Sequence, residues 1–182
     1  MIFADLHIHS RFSRACSKDL NLENLEKWAR IKGIDLMGTG DFTHPKWLAE
    51  LKENLSEKNG IFLSSSGFKF ILTGELSFVF TQAGKGRRVH LVLFAPNFEV
   101  VDKINSYLDK KGRRDYDGRP IFGISCEQFV KDLKEITDKS LLLEKIYVPQ
   151  INQFVESLKV LLSKLKLDYN SLRKESADLN VC

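Results

Sequence analysis

Two histidines near the start of the chain, His7 and His9, are the first residues whose types and spacing could do chemistry. Residues 2–9 alternate apolar side chains with Asp5 and the histidines, and this period of two predicts a strand. Side chains two apart on a strand share a face, so both imidazoles could bind one ion. Zinc, manganese and iron accept imidazole and carboxylate ligands. Surface histidines without a metal give the same pattern, so both interpretations stay open.

Another histidine and two acidic residues extend this set. His90 is embedded in an apolar run at residues 88–93, where an unpaired imidazole would be costly, so it needs a hydrogen-bond partner or a metal. Asp41 and Glu75 each follow a β-rich run, and a glycine precedes each acid. We therefore expect both acids at strand ends, where a carboxylate could bridge two metal ions about 3.5–4 Å apart. Acids at strand ends also cap turns, and that alternative remains.

Basic residues cluster in two predicted turns, one with Arg87 and Arg88 and the other with Arg113 and Arg114. Basic loops beside a metal site would suit an anionic substrate such as a nucleic-acid backbone. A run of lysine and arginine is more often simply a solvated surface. With a net charge of only +4, composition alone does not decide between them.

The elements that must position these residues alternate between strand and helix. Helices are predicted at residues 21–32, 45–56, 98–108 and 126–136. Asn21 is expected to cap the first helix, Gly33 to end it and Pro45 to open the second. Strands are predicted at residues 34–38, 68–72, 76–81 and 89–94, with residues 84–86 joining the last two as a hairpin and residues 112–123 forming a loop.

The composition, 43% hydrophobic and 29% charged over 182 residues, is typical of a globular domain with its own core. No apolar run reaches the length of a membrane span or a signal peptide, so a cytoplasmic protein is expected. The three cysteines lie far apart, which favours reduced thiols over a disulfide framework.

Residues 137–182 show a different sequence pattern from the rest of the chain. Residues 150–166 carry one apolar stripe opposite charged residues, which predicts an amphipathic helix. We therefore divide the chain into a domain at residues 1–136 and a divergent helical tail at residues 137–182. The tail helix is expected to cover an open sheet edge or to mediate self-association.

Taken in order, four segments resemble successive motifs of the PHP (polymerase and histidinol phosphatase) superfamily. They are Ala-Asp-Leu-His-Ile-His-Ser at residues 4–10, Gly-Thr-Gly-Asp at residues 38–41, Gly-Glu at residues 74–75 and Val-His at residues 89–90. Two segments are similar to sequences of the endonuclease Q branch, namely residues 38–47 and the Asp-Gly-Arg-Pro at residues 117–120. The resemblance covers about residues 1–136.

The resemblance implies an α/β fold of the PHP type, a partial and distorted (β/α) TIM-like barrel, here followed by the C-terminal amphipathic helix. It also implies up to three divalent ions of zinc, manganese or iron. His7 and His9 would bind one ion, Glu75 would bridge, His90 would serve a second ion and Asp41 a further one. A metal-activated water would then attack phosphorus. The residues expected to bind the substrate are Arg87, Arg88, Arg113, Arg114 and Arg119.

This chain departs from the superfamily in two places. Many members have a histidine directly after the second-motif aspartate, but Phe42 stands there, and His44 is expected to support the following helix. No histidine follows His90, so later ligands of the family are missing and fewer than three ions are expected.

The expected function is a metal-dependent phosphodiester hydrolase acting on DNA with deaminated or damaged bases, in a truncated or divergent form of the domain. Two alternatives stay open. One is a non-catalytic remnant or interaction module, and the other is a phosphatase of small phosphate monoesters.

Overall fold

A computed structural model describes residues 1–136, and the structural statements below concern those residues. They form four helices and seven strands. In chain order the elements are β1 (Ala4–Asp5), α1 (Leu22–Lys32), β2 (Leu36–Gly38), α2 (Pro45–Asn54), β3 (Ser56–Lys58), β4 (Ile61–Leu63), β5 (Lys69–Gln82), β6 (Lys85–Ala95), α3 (Phe98–Asp109), β7 (Ile121–Phe122) and α4 (Cys126–Ile136).

The strands form one mixed sheet around β5. Strands β1, β2 and β5 run parallel in that order, and β4 and β3 continue the sheet on the other side of β5 with antiparallel pairing. From Leu72 to its end β5 pairs antiparallel with β6, and at Ser77 and Phe78 it pairs parallel with β7. The fold is thus mixed α/β, as predicted. The described sheet is not closed, so the expected barrel is not confirmed.

The helices follow their local sequence closely. The Asn21 side chain accepts a hydrogen bond from the Asn24 backbone N–H at 2.9 Å, and Gly33 ends α1 in the left-handed conformation with φ 71°. Pro45 opens α2, and α4 has the predicted bounds. The predictions for these helices are confirmed. They could be made because the signals that start and end a helix lie in the sequence of the helix itself and its flanking residues.

Three strand predictions, at residues 2–9, 68–72 and 76–81, were wrong in extent. Of residues 2–9, only Ala4 and Asp5 pair with a neighbouring strand, so His7 and His9 lie in the segment after β1. The runs at residues 68–72 and 76–81 are one strand, β5, and Glu75 therefore lies inside a strand rather than at its end. Gly74 does not interrupt this strand. A Cβ at position 74 would lie 3.3 Å from the nearest atoms of the Phe42 ring, so the glycine makes room for that ring.

The long strand β5 has two chemically distinct faces, as alternation requires. As far as Phe78 its even-numbered side chains, including Leu72 and Leu76, belong to the hydrophobic core, and Phe78 lies 4.9 Å from Phe129 of α4 between ring centroids. The odd-numbered face carries Thr73, Glu75 and Ser77, all buried and polar. The polar face is the one that builds the candidate site.

No helix among residues 1–136 is long and apolar enough to cross a membrane. The amphipathic helix predicted at residues 150–166, and the self-association expected of it, lie outside the described residues.

Candidate metal centre

Three of the four histidines, all except His44, meet at the carboxylate of Glu75. One carboxylate oxygen, Oε2, lies 3.1 Å from His7 Nε2 and 3.0 Å from His9 Nε2, while Oε1 lies 2.7 Å from His90 Nδ1. Glu75 is only 4% exposed. Ligand atoms of His7, His9 and Glu75 lie within 4.8 Å of one another, close enough to hold one metal ion. Four of the five predicted metal ligands are thus brought into one cluster.

Strand pairing places His90 in this cluster. His90 lies opposite Ser77 in the β5–β6 ladder, which puts it diagonal to Glu75 on the same face. The sequence required a partner for this imidazole, and Glu75 is that partner. The expected enclosure by apolar side chains is wrong, because the His90 side chain is 38% exposed and faces the polar side of the hairpin.

Asp41, the fifth predicted ligand, is surrounded by hydrogen-bond donors. Its Oδ2 accepts from the Ser10 backbone N–H at 2.6 Å, from the Ser10 hydroxyl at 2.7 Å and from the Ser13 hydroxyl at 3.0 Å. Its Oδ1 lies 2.9 Å from His9 Nδ1. The side chain is completely buried. Asp41 therefore contacts the cluster through His9, as a carboxylate that fixes the ring orientation of a metal-binding histidine does.

The turn that carries Asp41 is anchored by α2. Trp47 is fully buried, and its indole N–H donates to the carbonyl oxygen of Gly40 at 2.9 Å. Asp41 itself has a positive φ of 48°, which aims its side chain back toward the segment after His9. The sequence between β2 and α2 thus folds so that Asp41 meets His9 of the segment after β1.

Electrostatics around the two carboxylates favour an ionised Glu75. The hydrogen bond to Asp41 is the largest influence on His9 and raises the pKa of its imidazole against the effect of burial. Burial of Glu75 would raise its pKa, but His7, Arg119 and His9 together outweigh burial and lower the pKa of this carboxyl. Metal ligands must be deprotonated, so the Glu75 carboxylate is ready to bind a cation at neutral pH.

The Asp-Gly-Arg-Pro segment lies against Asp41. The Gly118 N–H donates to the Phe12 carbonyl at 3.0 Å, and the Thr43 hydroxyl donates to the Gly118 carbonyl at 3.3 Å. A Cβ on Gly118 would overlap both Asp41 Oδ2 and the Ser13 hydroxyl. The position admits only glycine without a shift of the network that holds Asp41.

The five arginines expected to bind the substrate are placed differently. Arg119 lies beside the cluster, with Nη1 3.7 Å from Glu75 Oε2. Arg113 pairs with Asp115 at 3.0 Å, and Arg114 pairs with Asp109 at 2.7 Å. The other two, Arg87 and Arg88, lie near the end of the β5–β6 hairpin.

His44 lies outside the metal cluster and supports a loop. Its ring stacks on Phe12 at 4.3 Å between centroids, and its Nε2 lies 3.1 Å from the carbonyl oxygen of Asp115. Burial lowers the pKa of His44, so a neutral ring donates this hydrogen bond. The His44 side chain makes no capping hydrogen bond to α2, and its support of that helix stays a prediction.

Sequence reasoning did not single out Ser10 and Ser13, the donors around Asp41. A serine in a loop has no periodicity that reveals its partner, and both contacts span about thirty residues of chain. The one available indication was their place directly after the paired histidines.

These observations define a class, a mixed α/β fold with a histidine–carboxylate cluster suited to a divalent metal. Among solved structures, the lesion-specific endonuclease Q of Pyrococcus furiosus matches with a TM-score of 0.64 and 29% identity, over 74% of this chain and 32% of that one. A structure of endonuclease Q with a 27-mer duplex substrate, which has an abasic lesion at the active site, matches with a TM-score of 0.63 and 32% identity over the same shares.

An uncharacterised protein of Methanocaldococcus jannaschii is 33% identical over 133 residues, 72% of this chain and 15% of that protein. No protein-family profile matches the chain. The similarity to endonuclease Q confirms that part of the predicted resemblance, while membership of the PHP superfamily stays a prediction. The chain spans about a third of each solved relative and 15% of the archaeal protein.

Proposed function

We propose that this chain carries a divalent-metal-dependent phosphodiesterase centre of the PHP type that acts on DNA with a deaminated or damaged base. The convergence of His7, His9 and His90 on Glu75 carries the proposal. The similarity to endonuclease Q supports the choice of substrate, because one relative is lesion-specific and the other was solved with an abasic duplex.

The residues present fit zinc, manganese or iron. His7 Nε2, His9 Nε2 and one oxygen of Glu75 would hold one ion, and His90 would serve a second ion together with the other Glu75 oxygen. A bound divalent ion would supply a water of lowered pKa as nucleophile and offset charge on the phosphoryl oxygens. Because both Glu75 oxygens already face imidazole nitrogens, the carboxylate is positioned to bridge.

We assign Asp41 a different role from the one first expected. Three donors occupy Oδ2, and the remaining oxygen faces His9 Nδ1. Acting as a ligand would require the carboxylate to abandon buried hydrogen bonds, each of which is costly to leave unmade. Asp41 is therefore proposed to orient His9 so that Nε2 points at the ion.

Among the five arginines, Arg119 is proposed to contact the reacting phosphate group, because its guanidinium lies beside Glu75. A phosphate offers the same bidentate geometry that a guanidinium prefers. Arg113 and Arg114 would first have to leave their carboxylate partners. They are proposed to contact the substrate farther from the reacting phosphate group than Arg119 does.

The test uses the full chain, freed of metal and then loaded with zinc, manganese or iron. Cleavage is measured on duplex DNA with one abasic site, uracil or hypoxanthine, on the undamaged duplex and on a chromogenic phosphate monoester. We expect metal-dependent cleavage at the lesion and its loss in His7→Ala/His9→Ala.

The other outcomes separate the alternatives. Hydrolysis of the monoester alone would favour a small-molecule phosphatase. Metal binding without turnover would favour a non-catalytic module. Less than one bound metal per chain, unchanged in the double variant, would contradict the metal centre itself.

A further inference from the structure

The β5–β6 hairpin continues well beyond the metal cluster. Gln82, at the end of β5, lies seven positions after Glu75, which corresponds to about 24 Å of extended strand. Residues 81–88 are all exposed, and within the described chain β5 pairs only with β6 beyond Phe78. The projecting part is a two-stranded ribbon, which we call the hairpin end, residues 79–88.

The hairpin end is strongly basic. It carries Lys85, Arg87 and Arg88, and no acidic residue occurs between Leu76 and Ala95. Within residues 1–136, no carboxylate lies at ion-pair distance from these three cations, although Arg113 and Arg114 of the other basic cluster are both paired. Uncompensated charges of one sign create a positive field that attracts a polyanion.

Strand alternation separates the two arginines. Arg88 lies opposite Val79, two residues along β6 from His90, so it shares the face of the metal cluster. The distance along the strand is about 7 Å. Arg87 lies opposite Phe80 and therefore on the other face of the ribbon.

We propose that the hairpin end is a docking surface for the DNA backbone and that Arg88 binds a phosphate next to the one held at the metal cluster. The inference rests on the proposed function, since it names how the same substrate is held. A two-stranded ribbon also fits the major groove of a duplex. Arg87 adds to the surrounding field without making this contact.

The test measures the affinity of the full metal-free chain for a fluorescein-labelled duplex with one abasic site, by anisotropy at several salt concentrations. We expect Arg88→Ala to weaken binding about five- to tenfold and to reduce the slope of log K against log[salt] by about 1. For Arg87→Ala we expect a decrease in log K that is less than half of the decrease in Arg88→Ala. Thermal unfolding of both variants should match the wild type, because both side chains are exposed.

Moving the charge gives a sharper version of the test. In Arg88→Ala/Val79→Lys the charge returns on the same face, since directly opposite Cβ atoms are about 5 Å apart, and we expect affinity to recover. Arg88→Ala/Gln82→Lys has the same net charge, but Gln82 shares the face of Arg87, so no recovery is expected.

Equal losses in the two alanine variants, or equal recovery in both double variants, would overturn the docking role of this face. Loss of affinity in Arg119→Ala with none in Arg88→Ala would overturn it while leaving the proposed function intact. A wild-type chain that binds zinc or manganese but no duplex would contradict the DNA substrate and this inference together.

Discussion

Asp41 and Glu75 look alike in the sequence, yet the structure surrounds them differently. Each acid follows a glycine, and each is buried, at 0% and 4% exposure. Asp41 accepts three hydrogen bonds at one oxygen, from Ser10 and Ser13. Glu75 instead faces three imidazoles and a guanidinium. The surroundings decide whether a buried carboxylate is part of the scaffold or can bind a cation.

The difference has a structural origin. Asp41 sits in a turn with left-handed backbone geometry, where its side chain reaches the backbone of another loop. Glu75 sits in the middle of β5, whose backbone groups are engaged in the sheet. Its carboxylate therefore meets side chains, from the polar face of the hairpin, from the segment after β1 and from the loop that carries Arg119. The two sites should respond differently to the same chemical change, carboxylate to amide.

The largest effect on metal affinity is expected for Glu75→Gln. The amide lacks the negative charge that both proposed ions would share, so affinity for zinc or manganese should fall by more than the roughly 100-fold typical of losing an outer partner. The thermal unfolding temperature without metal should change less than in Asp41→Asn. Isothermal titration and calorimetry check both, with the exposed Glu57→Gln as control. If Glu75→Gln retained the metal affinity of the wild type, Glu75 would not be a ligand of the metal centre.

Asp41→Asn should show an intermediate loss of metal affinity, about 10- to 100-fold, because His9 would lose its orienting carboxylate. The amide also leaves donors of Ser10 and Ser13 poorly matched, which should destabilise the fold by about 1–3 kcal/mol. Ser13→Ala, which removes one donor, should have a smaller effect on both quantities. If Asp41→Asn abolished metal binding without loss of stability, Asp41 would be a ligand after all.

The smallest effect on affinity is expected for Gly118→Ala, a change outside both carboxylates. The new methyl group must displace Asp41 or Ser13, at a cost of about 1–3 kcal/mol in stability, and metal affinity should fall less than tenfold. Gly123→Ala is the matched control, because nothing lies within 4 Å of a Cβ there. Equal unfolding temperatures for the two variants would show that Asp41 is held less tightly than proposed.

How much of the fold could be predicted depended on how local its causes were. The ends of α1 and α4 were predictable from caps and spacing. The hairpin of β3 and β4 was missed, although Asn59-Gly60 at its turn, both with positive φ, is a strong hairpin signal. Its polar first strand, Ser56–Lys58, carries no apolar alternation. Strand β7 was missed within the predicted loop because it is only two residues long.

The candidate site shows the same division. The resemblance supplied His7, His9, Glu75 and His90 as one set, and the structure brings them together. It could not show that Asp41 is enclosed by serines, because those contacts depend on how two distant loops meet. Gly74 misled the strand prediction for a similar reason, since its purpose is a close approach to Phe42 and not a turn.

Anomalous diffraction from crystals of the manganese- or zinc-loaded full chain tests the central claim most directly. We predict an anomalous peak for an ion that is coordinated by a Glu75 oxygen and by Nε2 of His7 and His9, at about 2.0–2.2 Å for zinc. Asp41 should remain hydrogen-bonded to Ser10 and His9. A peak bound by Asp41, or none within reach of Glu75, would contradict the account.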